Sequence, residues 1–274
     1  MMKLLVQAAA ATVVLTVLQA SLSFLVPASG TGGRSSLPLV LLSNALTASL
    51  LVWIARGLRA RRWTRAIVLF AVWGGIHATS LVEAALFDIG IPAGDLPWLM
   101  AHGLAVSACF ALLLALAVRT EPGTMPQPEA GAPPSPWWRL AACSLLYVPL
   151  YFAAGTLAYP YLREFYEARP MPAVTTVIAI QPFRGFAFAA IVLLLVRQLR
   201  GTRLRVSTAA ALTMSILGGV APLLIPNPYL PDAVRHAHLP EVGASLFLFG
   251  FLTAWLLAGP PHERARDEAV ALSA

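Results

Sequence analysis

Eight runs of continuously apolar residues, each close to the length that crosses a bilayer, dominate this chain. A hydrocarbon core about 30 Å thick is crossed by about 20 apolar residues of α-helix. The runs cover residues 4–26, 38–55, 66–87, 98–118, 140–158, 173–196, 206–225 and 240–258. No water is present at that depth to satisfy N–H and C=O groups, so a span is either a helix or a strand of a closed barrel. Barrel strands alternate apolar and polar positions, and these runs do not. The expected fold is all-α, a polytopic membrane bundle of eight transmembrane helices. Composition agrees: 58% of residues are hydrophobic and 11% charged, against about a quarter charged in soluble domains. The expected surroundings are the lipid bilayer.

Orientation follows from the bias of Lys and Arg toward cytoplasmic loops. With the N-terminus inside, fourteen bases fall on the inner side: Lys3, Arg56, Arg59, Arg61, Arg62, Arg65, Arg119, Arg139, Arg197, Arg200, Arg203, Arg205, Arg264 and Arg266. Arg34, Arg163, Arg169 and Arg235 fall outside, and Arg184 lies within a span. Both termini are therefore expected in the cytoplasm. The pI near 10.1 reports topology and gives no reason to expect a nucleic-acid partner. The first run has a basic start and small residues near Ala20–Ser23, as a signal peptide does, but its length exceeds the usual signal core and it is expected to be retained. Cys109 and Cys143 fall at membrane depth, where packing rather than a disulfide is expected.

Residues 119–138 hold prolines at 122, 126, 128, 133, 134 and 136, the composition of a flexible cytoplasmic linker. It separates four runs in residues 1–118 from four in 139–258, with a cytoplasmic tail at 259–274. The halves echo one another in order. Leu58-Arg59-x-x-Arg62 closes the second run and Leu199-Arg200-x-x-Arg203 the sixth. Gly74-Gly75 corresponds to Gly218-Gly219, and Ile91-Pro92-x3-Leu96-Pro97-x4-His102 to Ile225-Pro226-x3-Leu230-Pro231-x4-His236 without a gap. An even number of spans per half inserts both halves the same way up, so the expected arrangement is two parallel four-helix repeats about an axis along the membrane normal.

Ionisable residues inside spans cost about 2.5–3.5 kcal/mol on insertion scales and so mark function or pairing. Here they are His77 and Glu83 in the third span, Arg184 in the sixth and Glu241 at the start of the eighth. His102, His236 and His238 lie at outer ends. Pro182, inside Gln181-Pro182-Phe183-Arg184-Gly185, predicts a kink or break. Gln181 and Arg184 share a helix face, and Arg184 needs an acid, of which Glu83 and Glu241 are the candidates. That pair would either weld the bundle together or anchor a ligand. In Arg235-His236-Ala237-His238-Leu239-Pro240-Glu241, the residues Arg235, His238 and Glu241 fall on one face. The two histidines diverge by about 200° on a helix, so a metal site is not expected. His77 is the one mid-membrane histidine, which leaves a bis-histidine haem without its pair; with Ser80 and Glu83 it could line a polar seam. No cofactor is indicated, and no catalytic motif stands out.

Tyr151-Phe152-x-x-Gly155, Pro160-x-x-Arg163-x-x-Tyr166 and Gln181-x-x-Arg184-Gly185 resemble a family of bacterial polytopic integral membrane proteins, as does Pro226-Asn227-Pro228-x-Leu230-Pro231-x-x-Val234-Arg235-x-x-His238-x-x-Glu241. The resemblance covers about residues 145–258 and implies a bacterial cytoplasmic membrane, but no reaction. Three functional readings stay open. The first is a transporter-like or ligand-binding protein with an outward polar cavity for a small anionic or polar ligand, lined by Arg184, Gln181, Glu83, His77, Arg235, His238 and Glu241. The second is an intramembrane enzyme using Glu241 or His238. The third is an accessory protein whose polar cluster is structural. The topology is open to direct test: cysteines placed at Arg61 and Gly201 should react with a membrane-impermeant reagent only after the inner face is opened, and one at Asp95 from outside. The reverse pattern overturns the charge argument.

Overall fold

The computed structural model describes residues 2–26, 36–86, 91–118, 137–169 and 172–258. Every regular element among them is helical, and eight helices are long and apolar enough to cross a membrane. They are α1 (Met2–Ser21), α2 (Leu37–Gly57), α3 (Arg62–Leu86), α4 (Leu96–Ala117), α5 (Trp137–Glu167), α6 (Val174–Gln198), α7 (Arg203–Leu224) and α8 (Asp232–Leu257). The chain is an integral membrane helix bundle. Large apolar side chains left on its surface, such as Leu157 and Phe183, each 77% exposed, match a lipid solvent rather than water. The expected linker at 119–138 lies almost wholly outside the described residues, as does the tail at 259–274.

Several helices run past their apolar stretches. Helix α8 starts eight residues before Pro240, which lies inside it, and α5 continues to Glu167 through Pro149 and Pro160. At 31 residues α5 is about 46 Å long and overshoots the hydrocarbon core. Pro182 does not break α6, which is continuous. Beside it Ser144 Oγ on α5 donates to the Pro182 carbonyl at 2.5 Å. Gly185 permits that approach, since a Cβ there would collide with the Ser144 carbonyl. Helix α7 carries a π-turn at Ile216–Val220, directly over the Gly218-Gly219 pair that packs on α8.

Within each half the first helix packs on the second and the third on the fourth; α5 also packs along α8. The halves meet where α3 lies on α6 and where α2 meets the last turns of α7. At one end of the bundle, called here the basic face, Arg59 N donates to Gln198 O at 2.8 Å and Arg200 N to Gly57 O at 2.9 Å, bracketing an antiparallel bridge between Leu58 and Leu199. The bonds are reciprocal: each residue does to its counterpart what the counterpart does to it, as in an isologous contact. At the same face Arg65 Nη1 on α3 donates to the Val118 carbonyl after α4 at 2.6 Å, while Arg203 on α7 reaches the Trp255 carbonyl near the end of α8. Such bonds satisfy carbonyls that a helix end leaves without an internal partner.

At the opposite, far face, Tyr229 Oη donates to Asp95 Oδ2 at 3.1 Å, tying the two Pro-rich turns together. Between the faces, Ser43 Oγ on α2 donates to the Ala221 carbonyl of α7 at 2.8 Å. The shared apolar core includes Leu51, Ile54, Phe110, Val192 and Phe249. Residues that face each other between the two bonds of an antiparallel bridge have Cα atoms about 4.5 Å apart, within disulfide range. Leu58→Cys with Leu199→Cys, in a background lacking Cys109 and Cys143, should therefore form an intramolecular disulfide when isolated membranes are oxidised. Its absence by gel mobility after protease nicking of the linker would contradict the bridge.

Candidate functional site

The far half of the bundle gathers Arg184, Glu83, Gln181, His238 and Glu241 into one cluster. Arg184, ten residues into α6, is 8% exposed and forms an ion pair with Glu83 near the end of α3, through Nη1 and Nη2 to the two carboxylate oxygens. This is the two-pronged fork that suits a guanidinium to a carboxylate. The pair joins the halves, because α3 belongs to the first and α6 to the second. Nη1 also donates to Gln181 Oε1 at 3.0 Å, one helical turn back.

Aromatic rings enclose the guanidinium. Its carbon lies 5.2 Å from the centre of Tyr147, 5.8 Å from Tyr151 and 5.5 Å from Phe188, within cation–π range. Tyr147 is held edge-on against Phe188 and Phe249, with centroids 5.5 and 5.1 Å apart. The cage is thus built from α5, α6 and α8, with Glu83 entering from α3. The rings shield the guanidinium from solvent, which strengthens its attraction to Glu83.

Next to this pair runs a second chain of bonds. Tyr166, one residue from the end of α5, meets His238 Nε2 through its hydroxyl at 3.0 Å, and His238 Nδ1 meets Glu241 Oε2 at 2.5 Å. His238 and Glu241 are one turn apart on α8, which runs on without a break through Pro240. Both side chains are 14% exposed, and Glu83 is 18% exposed, so the cluster is shielded but not sealed. Gly155 on α5 stands opposite Glu241, where a Cβ would sit 3.9 Å from Oε1. The two sets of bonds are neighbours: His238 and Glu241 both lie within electrostatic reach of Glu83. Chemically, the arrangement couples a forked cation to a carboxylate–imidazole–phenol chain in which a base is oriented by an acid.

Of the seven candidate residues, the structure brings together Arg184, Gln181, Glu83, His238 and Glu241. His77 and Arg235 are placed elsewhere. His77 hydrogen-bonds the Leu99 carbonyl at 3.2 Å and packs on Gly103, inside the first half. Six residues along a helix turn about 120° short of two full turns, so His77 and Glu83 face different neighbours. Arg235 closes the end of α7: Nη1 donates to Leu223 O at 2.8 Å, and Nη2 pairs with Asp232 at 2.5 Å. Tyr147, Tyr151 and Tyr166 were not among the candidates. Tyr151 and Tyr166 stand in the sequence pattern that includes Arg184, His238 and Glu241, and that grouping was the available signal. Among the described residues no group of three or more His, Cys, Asp or Glu side chains could hold a metal ion. An apolar groove of about 340 Å³ lies between α1 and α4, lined by Ala11, Val14, Phe110 and Leu113 among others, away from the cluster.

No protein family, curated protein or solved structure matches the chain. The site must therefore speak through its own chemistry. Breaking a buried ion pair on one side leaves an uncompensated charge and costs about 3–5 kcal/mol, whereas replacing both partners by apolar groups can be neutral. Arg184→Met and Glu83→Leu should each lower the unfolding temperature in detergent, and the double variant should recover most of the loss. Additive losses in the double variant would show that the two side chains do not depend on one another.

Proposed function

We propose that this protein resides in a bacterial cytoplasmic membrane with both termini inside, as two parallel four-helix repeats, and binds an organic monocarboxylate at Arg184 from the outer side. The basic face supports the orientation, since the bridge at Leu58 and Leu199 brings together the arginine-rich loops. The reciprocal bonds at that bridge support the repeat arrangement.

The observation that carries the ligand is the amide of Gln181. Its oxygen accepts from Arg184, which assigns the nitrogen, and Nε2 is buried without an acceptor among the described residues. A buried donor without a partner costs about 1–3 kcal/mol. A purely structural ion pair uses the Gln181 oxygen but has no use for that donor. A carboxylate arriving in the Arg184 fork would accept from Gln181 Nε2 as well. Glu83 shows that the fork takes a carboxylate, and Tyr147, Tyr151 and Phe188 supply an aromatic lining suited to an organic body. Glu83, His238 and Glu241, each partly exposed, are the side of the cluster from which a ligand would enter.

The completed Arg184–Glu83 fork favours a second reading, a structural pair with no ligand. A thermal-shift experiment separates the two. Acetate, butyrate and benzoate are added to purified protein; a carboxylate present at ten times its dissociation constant should stabilise by about 1.4 kcal/mol. Benzoate should raise the unfolding temperature of the wild type, and Gln181→Leu should abolish that rise. If none of the three shifts the wild type, or if Arg184→Met keeps the shift, the structural reading stands.

A further inference from the structure

Arg184 carries one positive charge, and in the resting bundle Glu83 occupies both prongs of its fork. A carboxylate that takes those prongs leaves Glu83 without a counter-charge among apolar helices. There the ionised form is much costlier than the protonated one. The guanidinium cannot supply the proton, because it stays charged in proteins. Glu83 has to receive one from another source.

Few groups face it. From α8 come His238 and Glu241. From α5 come the phenols of Tyr147, Tyr151 and Tyr166. Helix α6 contributes Arg184, and the last turn of α7, Ala221–Leu224, has no titratable side chain. Three of these groups already stand in line: Tyr166 Oη to His238 Nε2, then His238 Nδ1 to Glu241 Oε2. Tyr166 lies one residue from the end of α5, so the chain begins at the far face and runs inward. An imidazole bonded at both nitrogens can accept a proton at one and release it from the other.

We propose that one proton enters the bundle with each carboxylate and is carried to Glu83 along Tyr166, His238 and Glu241. The inference rests on the carboxylate reading above. The proton comes from water at the outer rim. His238 gains it at Nε2 and gives up the Nδ1 proton to Glu241, which passes it to Glu83; only O–H and N–H bonds form and break. One negative charge arrives with one positive charge, and the cluster keeps its net charge. The bound species is in effect a neutral acid split between two sites.

The test is calorimetric titration of the purified wild type with sodium benzoate in HEPES and in Tris, whose ionisation enthalpies differ. It should return about one proton taken up per benzoate, with affinity weakening about tenfold for each unit of pH increase. Glu83→Gln should bind benzoate with no proton uptake and no such pH dependence. Should that variant not fold, the route is read from kinetics: proton uptake after rapid mixing with benzoate, followed with a pH dye, should slow at least about tenfold in His238→Gln and in Tyr166→Phe. Benzoate binding to the wild type without proton uptake overturns the coupling, and unchanged rates in both variants overturn the route. Absence of any benzoate binding removes the carboxylate reading and this inference together.

Discussion

A guanidinium ten residues into an apolar helix has to be answered by an acid, and in this bundle the acid comes from the other half of the chain. Everything around Arg184 follows from that demand. Helix α3 must lie on α6 so that Glu83 can reach the fork, Gly185 must lack a side chain so that α5 can close in, and Tyr147 must be held edge-on to complete the cage. Apolar packing alone would not choose this register, because lipid is as good a partner for a leucine as another helix is. A buried charge pair has one geometry at which it is tolerable, and that geometry sets how the halves meet.

The other contact between the halves shows what the same place looks like without the charge. Ser43 and Arg184 each stand fifteen residues before the bridged pair, Leu58 and Leu199. Both reach from the second helix of their own half to the third helix of the other: Ser43 to a carbonyl at Ala221, Arg184 to the carboxylate of Glu83. One contact is a neutral bond to backbone. The other is an ion pair inside an aromatic cage, with His238, Glu241 and Tyr166 beside it. If the halves share an origin, chemistry has been built at one of two equivalent joints while the other was kept as a fastening.

How much of this could be read from residues alone follows the physics. The number and placement of spans were legible because bilayer thickness imposes a length on each apolar run. The need of Arg184 for an acid was legible for the same reason, and so were its two candidates; which of them it takes depends on which helix lies alongside, and no local pattern records that. The helices run past the apolar stretches where chain continues beyond the hydrocarbon: α8 begins at Asp232 and α5 ends at Glu167, since hydropathy marks the lipid boundary and not the end of hydrogen bonding. Pro182 predicts a kink or a break, yet the helix is continuous, because neighbouring helices re-satisfy what proline removes. His77 and Glu83 looked like one stripe, and six residues of helical rotation sent them to different neighbours. Tyr166 carried no charge to attract notice, although its hydroxyl completes the chain to Glu241.

Buried arginines are not alike in what they offer. Arg65 and Arg235 are 1% and 2% exposed, more deeply buried than Arg184 at 8%. Depth alone would rank them first. Arg65 is held by the Val118 and Ala60 carbonyls, and Arg235 by the Leu223 and Leu224 carbonyls with Asp232. Backbone carbonyls at a helix end cannot leave without unwinding the helix, so those arginines are fastened for as long as the fold lasts. Arg184 is held by side chains alone, a carboxylate and an amide, and a side chain can turn aside at the cost of a rotamer and a charge. Only an arginine whose partner can be exchanged can take a ligand in that partner's place. The protonatable groups that would make the exchange neutral stand beside Arg184, at His238 and Glu241, and among the described residues no hydrogen-bonded carboxylate–imidazole–phenol chain stands beside the other two.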